Sequence, residues 1–141
     1  MVEATTTTNA DCVLRHVRPL RSAPSDIGGN MARSTQEVLQ HHLDALAAQD
    51  IEAVVSDYAD DASLIAPDVT VTGTVALHDF FTEILKAMPG IIDALTIDRT
   101  ENVGEIAYIV WHAPGFAPLG TDTFLVRDGR IVTQTFAMQP A

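Results

Sequence analysis

Cationic side chains are scarce in this chain: eight Lys and Arg stand against nineteen Asp and Glu, for a formal net charge of −11 over 141 residues. The imbalance is local. Residues 1–30 hold three of each sign, so the whole excess falls on residues 31–141, with five basic and sixteen acidic side chains. No basic patch or stripe offsets it. That excludes nucleic-acid binding through phosphate neutralisation and disfavours docking on an anionic membrane surface. Cysteine is nearly absent. Cys12 stands alone, which rules out an internal disulfide and a cysteine-based metal centre and fits a cytoplasmic, reducing compartment. No apolar run approaches the ~20 residues of a membrane span, and the N-terminus lacks the apolar stretch of a secretory signal. Also missing are a phosphate-binding glycine loop, an HExxH helix and a Gly-x-Ser-x-Gly elbow. The expectation is a protein with no metal and no cofactor.

What is present is a chain 47% apolar, long enough to bury a core as one domain. Residues 1–30, with the run Thr5 to Thr8 and Gly28-Gly29, have no periodic apolar face and read as a flexible N-terminal extension to a single domain over 31–141. Ser34 with Glu37 three residues on predicts a capping box for a helix over Thr35–Gln49. Its stripe is Val38, Leu39, His42, Leu43, Leu46 and Ala47. Asp50 opens a second helix to Tyr58, which Asp60-Asp61 ends; nearby Asp57 reads as part of the helix end and turn. Short strands follow at Ala62–Ala66 and Val69–Thr72. A third helix, Val75–Met88, is capped by Thr74 and stopped by Pro89-Gly90. Strands are expected at Ile91–Glu101, Ile106–His112, Thr121–Arg127 and Ile131–Met138. Helices first and a meander afterwards predict an α+β fold, with helices on one face of a curved sheet.

The last two strands carry the functional signal. Asp128-Gly129 between alternating apolar runs predicts a tight hairpin. Alternation puts Asp122, Phe124 and Val126 on one face of the first strand, and Val132, Gln134, Phe136 and Met138 on one face of the second. A face of large apolar groups broken by an aspartate and a glutamine reads as the wall of a small-molecule pocket.

The element order and three strings, LAAQDIEAVVSDYADDASLIAPD (Leu46–Asp68), GTVALHDFF (Gly73–Phe81) and GTDTFLVRDGRIV (Gly120–Val132), resemble the nuclear transport factor 2-like superfamily, in its SnoaL-like and ketosteroid-isomerase-like branches, over about residues 34–138. The resemblance implies a cone: a curved antiparallel sheet wrapped around three helices from the first half of the domain, with an internal pocket. The superfamily hosts isomerases, cyclases, dehydratases and plain binding proteins, so the fold alone does not name an activity. At the position of the isomerases' general-base aspartate stands Ala66, which cannot take a proton. The tyrosine of their oxyanion hole falls at His42, and its neutral aspartic acid at Asp122. Aspartate with a nearby histidine is similar to the polyketide cyclases of the superfamily.

Asp122 and His42 are therefore the candidate catalytic residues. An inward Asp122 in apolar surroundings would be pushed up in pKa and serve as a base or a neutral donor. Tyr58, Phe80, Trp111, Phe124, Gln134, Phe136 and Met138 are the candidate ligand-binding residues. Gln134 either orients a ligand or bridges strands through a water; Tyr58 and Trp111 either line the site or fill the core. The expected ligand is a small apolar molecule, handled by a cofactor-independent isomerase, cyclase or dehydratase, or held by a non-catalytic domain of the same fold. Strand Ile106–His112 is apolar on both faces, which leaves open which side looks inward and predicts a homodimer through the sheet.

Overall fold

A computed structural model describes residues 32–141 of the chain; the expected extension over 1–30 lies outside the described residues. In chain order the elements are α1 (Thr35–Ala47), α2 (Ile51–Val55), β1 (Tyr58–Ile65), β2 (Thr70–Thr72), α3 (Thr74–Ala87), α4 (Ile91–Ala94), β3 (Thr96–Val103), β4 (Ile106–Ala113), β5 (Ala117–Arg127) and β6 (Arg130–Gln139). The fold is α+β. One six-stranded sheet runs β2-β1-β6-β5-β4-β3.

Local chemistry sets the helix ends. The Ser34 hydroxyl accepts from the Glu37 amide at 3.1 Å, and the Glu37 carboxylate accepts from the Ser34 amide at 2.8 Å, so the capping box closes. Val38, Leu39, His42 and Ala45 are the buried face of α1. Leu43 and Leu46, also on the apolar stripe, stay half-buried because they border a cavity. Asp50 caps α2 through the Ala53 amide at 3.1 Å. Leu77 and Phe81 anchor α3.

The hairpin forms as its turn chemistry demands. Arg127 pairs with Arg130, and Asp128 and Gly129 both take positive φ, 54° and 76°, the geometry of the tight turn that matches sheet twist. Near it one extra residue, Val132, sits between Thr133, opposite Leu125, and Ile131, opposite Val126. This bulge lets Ile131 and Gln134 both be buried although they are three residues apart. On β5 the buried residues are Ala117, Gly120, Asp122, Phe124 and Val126, and on β4 they are Ala107, Ile109, Trp111 and Ala113. The inward face of β4 is thereby settled: Trp111 looks in, Tyr108 and Val110 look out.

Several expectations need correction. The sheet is mixed rather than antiparallel, because β1 runs parallel to β6, with Leu64 opposite Gln134. The second helix stops at Val55, and Tyr58 begins a strand, since Tyr58 pairs with Ile131. A fourth, short helix, α4, replaces the expected start of a strand at Ile91; Gly90, with φ 91°, redirects the chain into it. Gly73 rather than Thr74 caps α3. Strand β5 begins at Ala117, because Ala117 pairs with Ala113, so the loop before it shrinks to Pro114–Phe116.

Candidate functional site

Between the helices and the concave side of the sheet lies a cavity of about 250 Å³. Helices supply Leu43, Leu46, Phe80, Ile84, Leu85 and Ile92, and the sheet supplies Ile109, Phe124 and Phe136. Against these apolar walls stand four groups with polar atoms: His42, Trp111, Asp122 and Gln134.

The strands place these groups in one cluster. Asp122 is opposite Phe136 across the β5–β6 ladder, and Gln134 is opposite Phe124, so the two polar side chains lie diagonal to each other on the inward face. Gln134 Nε2 donates to Asp122 Oδ2 at 2.7 Å, and Trp111 Nε1 donates to Asp122 Oδ1 at 2.8 Å. The buried Tyr58 hydroxyl donates to Gln134 Oε1, which turns the amide nitrogen toward Asp122. Each carboxylate oxygen thus accepts one N–H from a side chain that is itself held: Gln134 by Tyr58, and the Trp111 ring by stacking on Phe136, 3° from parallel at 6.4 Å.

Burial pushes the Asp122 carboxyl above the ordinary carboxylate range, and the N–H groups of Trp111 and Gln134, with His42 nearby, only partly offset it. Burial, with Asp122 and Asp57 nearby, also holds the Tyr58 phenol well above its usual value, so Tyr58 stays a neutral donor. His42 is fully buried on α1, edge-on to Phe124 at 5.2 Å and to Tyr58 at 5.6 Å. Neither of its ring nitrogens has a hydrogen-bond partner. A carboxyl that keeps its proton to higher pH than usual and an unsatisfied imidazole, both on an apolar cavity, are groups able to exchange protons with a bound molecule.

The SnoaL-like domain model matches residues 39–134. The chain belongs to the SnoaL-like domain family. Among curated proteins none matches it. Among solved structures, a SnoaL-like protein of unknown function from Burkholderia thailandensis is 19% identical, covering 74% of this chain and 94% of its own, with a TM-score of 0.65. A candidate polyketide cyclase from Sinorhizobium meliloti is 21% identical, covering 71% and 93%, with a TM-score of 0.60. A candidate ketosteroid isomerase from Kribbella flavida is 20% identical, covering 79% and 83%, with a TM-score of 0.61. At these identities the likeness is one of fold.

In this SnoaL-like domain the cavity is lined by His42, Phe80, Trp111, Asp122, Phe124, Gln134 and Phe136 among the residues singled out from the sequence. Tyr58 and Met138 lie outside the lining. Tyr58 is core, reaching the cluster only through Gln134, and Met138 packs half-buried at the edge of the core. Ala66 sits at a turn, its amide bonded to the Val69 carbonyl at 2.8 Å, and does not border the cavity.

Sequence reasoning missed Asp57. It reads as a solvated helix end, yet its side chain is fully buried. Arg33 Nη1 donates to its Oδ1 at 2.9 Å, His41 Nδ1 lies 2.8 Å from both oxygens, and His42 Nδ1 lies 3.8 Å from Oδ2. Burial raises the Asp57 carboxyl, but His42, His41 and Arg33 outweigh it and hold it below the ordinary range. The available signal was Arg33 and His41, at the approach to α1 and on it, with the helix that follows ending just before an acid. Among the described residues no group of three or more His, Cys, Asp or Glu is arranged to hold a metal ion, and no helix is long and apolar enough to cross a membrane.

Proposed function

We propose that the domain takes a small apolar carbonyl compound into the cone and acts on it by cofactor-independent acid–base catalysis, in an isomerisation, cyclisation or dehydration. Asp122 transfers the proton, and His42 is its partner on the same cavity. One observation carries this reading: a carboxyl raised by burial and an unpartnered imidazole both border an otherwise apolar cavity. Gln134 and Trp111 position Asp122, while Phe80, Phe124 and Phe136 shape the walls. The candidate cyclase and isomerase of the same fold support the reaction class. A cavity of about 250 Å³ is below the ~300–1,000 Å³ of drug-sized sites, which favours a one- or two-ring compound over a four-ring steroid.

The test is α-proton exchange. A panel of one- and two-ring enolisable ketones is incubated with the protein in D2O and followed by NMR. Deuterium incorporation that disappears in Asp122→Asn supports the reading; binding without exchange across the panel leaves a non-catalytic ligand-binding domain. That second reading is favoured by Ala66 at the turn where the isomerases' base stands, and by Asp122 having each oxygen already engaged.

We also propose that a second copy covers the outer face of the sheet. Its middle carries Tyr108 and Val110 on β4, Leu119, Thr121, Thr123 and Leu125 on β5, and Thr133, Thr135 and Ala137 on β6, and charge returns at the β3 edge, where Arg99 and Glu101 stand opposite Val110 and Tyr108. In a chain of net charge −11, this uncharged stretch over β4–β6 is where two copies can meet with little charge repulsion.

A further inference from the structure

The cavity leaves one buried polar group unexplained. His42 is inside the protein, yet neither nitrogen is paired, and such orphans call for a reason. The rings edge-on to it, Tyr58, Phe81 and Phe124, fix its plane but provide no in-plane acceptor. Behind it stands Asp57, with Oδ2 3.8 Å from Nδ1. Closing that gap to the ~2.9 Å of a hydrogen bond takes a shift of less than about one ångström. Asp57 is a prepared partner, since Arg33 on Oδ1 and His41 between the two oxygens fix its carboxylate in place, and Arg33 is anchored in turn through Nη2 to the Gly129 carbonyl at 3.0 Å.

We propose that Asp57 is a positioning residue that keeps the His42 ring proton on Nδ1, so that Nε2, buried without a partner in a side chain that lines the cavity, is left as the acceptor that selects a ligand whose polar end is a phenolic or enolic hydroxyl. The inference rests on the cavity being the binding site, as proposed above. The groups facing His42 agree with it. From the α1 side and the α2–β1 junction come Arg33, His41, Asp57 and Tyr58; from β5 comes Asp122. Asp57 is held ionised by its cationic neighbours, so it attracts an N–H strongly. Asp122 competes poorly, because burial drives it toward the neutral form and no hydrogen bond joins it to His42, whereas Asp57 Oδ2 already lies 3.8 Å from Nδ1. Tyr58 spends its hydrogen on Gln134. When a bound hydroxyl passes its proton to Nε2, the imidazolium formed is flanked by the Asp57 carboxylate, and the ligand becomes an oxyanion; the proton returns by the same route.

The experiment is a long-range 1H–15N correlation spectrum of the ¹⁵N-labelled full chain at neutral pH, with His42 assigned by the signals lost in His42→Gln. The expected spectrum has a protonated Nδ1 and a bare Nε2, and Asp57→Asn loses that preference. A protonated Nε2 in the wild-type protein, or a preference unchanged in Asp57→Asn, overturns the proposal; should Asp57→Asn not fold, the wild-type spectrum still decides. A second arm titrates 4-propylphenol against 4-propylanisole, read by the fluorescence of Trp111, the one tryptophan of the chain. The phenol is expected to bind about tenfold tighter, the equivalent of one hydrogen bond. Equal binding overturns the hydroxyl selection. If neither binds, the hydroxyl selection and the cavity reading fall together, while the spectrum separately decides the role of Asp57.

Discussion

The indole of Trp111 lies against the backbone of Gly120, its cross-strand partner on β5, so closely that a Cβ on Gly120 would overlap the six-membered ring. Two residues on, on the same inward face, Asp122 receives the indole N–H. Glycine at 120 is therefore what lets Trp111 lie down and reach Asp122. Gly120→Ala is expected to cost about 1–3 kcal/mol by overpacking and to shift the emission of Trp111. Urea unfolding followed by fluorescence measures both; an unchanged midpoint and spectrum would refute the close approach.

Tyr58→Phe removes the donor that orients Gln134. The expected loss is about 1–3 kcal/mol, because the Gln134 carbonyl is left buried without its partner. Thermal unfolding checks it, and a variant as stable as wild type would mean the hydroxyl contact contributes nothing.

Asp57 and Asp122 depend on pH with opposite signs. The Asp57 carboxyl is depressed in the fold, so its stabilisation is complete above the ordinary value of ~3.9 and is lost as pH falls through its lower folded value. Asp57→Asn should thus be less stable than wild type at neutral pH, with the difference shrinking in strong acid. Stability curves of the two proteins between pH 7 and pH 2 give the comparison; a difference independent of pH would sink the assignment.

For Asp122 the folded carboxyl is raised. The fold holds the proton more tightly than the unfolded chain, so wild-type stability falls as pH rises from the ordinary value of ~3.9 through the raised one. Asp122→Asn removes that slope. Its amide can accept from Trp111 and donate to a flipped Gln134, so neutral-pH stability should stay within about 1 kcal/mol of wild type or exceed it. The same variant is expected to lack α-proton exchange. A large loss of stability at pH 7 would show that the carboxylate is ionised and structurally required.

If the outer face joins two copies, sedimentation at micromolar concentration should give twice the 15.2 kDa of the chain, and Val110→Asp should give one. A monomeric wild-type protein would end the assembly proposal.

Much of this molecule is written locally. The capping box of Ser34 and Glu37, the Asp128-Gly129 turn and the alternation that sends Asp122 and Phe124 inward each depend on residues within a few positions of one another. Residue patterning by itself therefore determined the helix-then-meander order, the α+β class and the polar break in an apolar sheet face. Contacts across the chain were decided only in three dimensions. The parallel pairing of β1 with β6, the inward turn of Trp111 and the bulge at Val132 follow from which strands meet and in what register, and periodicity is blind to register between distant segments. Asp57 shows the same limit in one residue. Along the chain it is an acid at a helix end, where water is the ordinary partner; in the fold, Arg33, His41 and His42 arrive from another helix and its approach to enclose it. Burial of a charge is set by what packs over it, and that is a property of the tertiary structure alone.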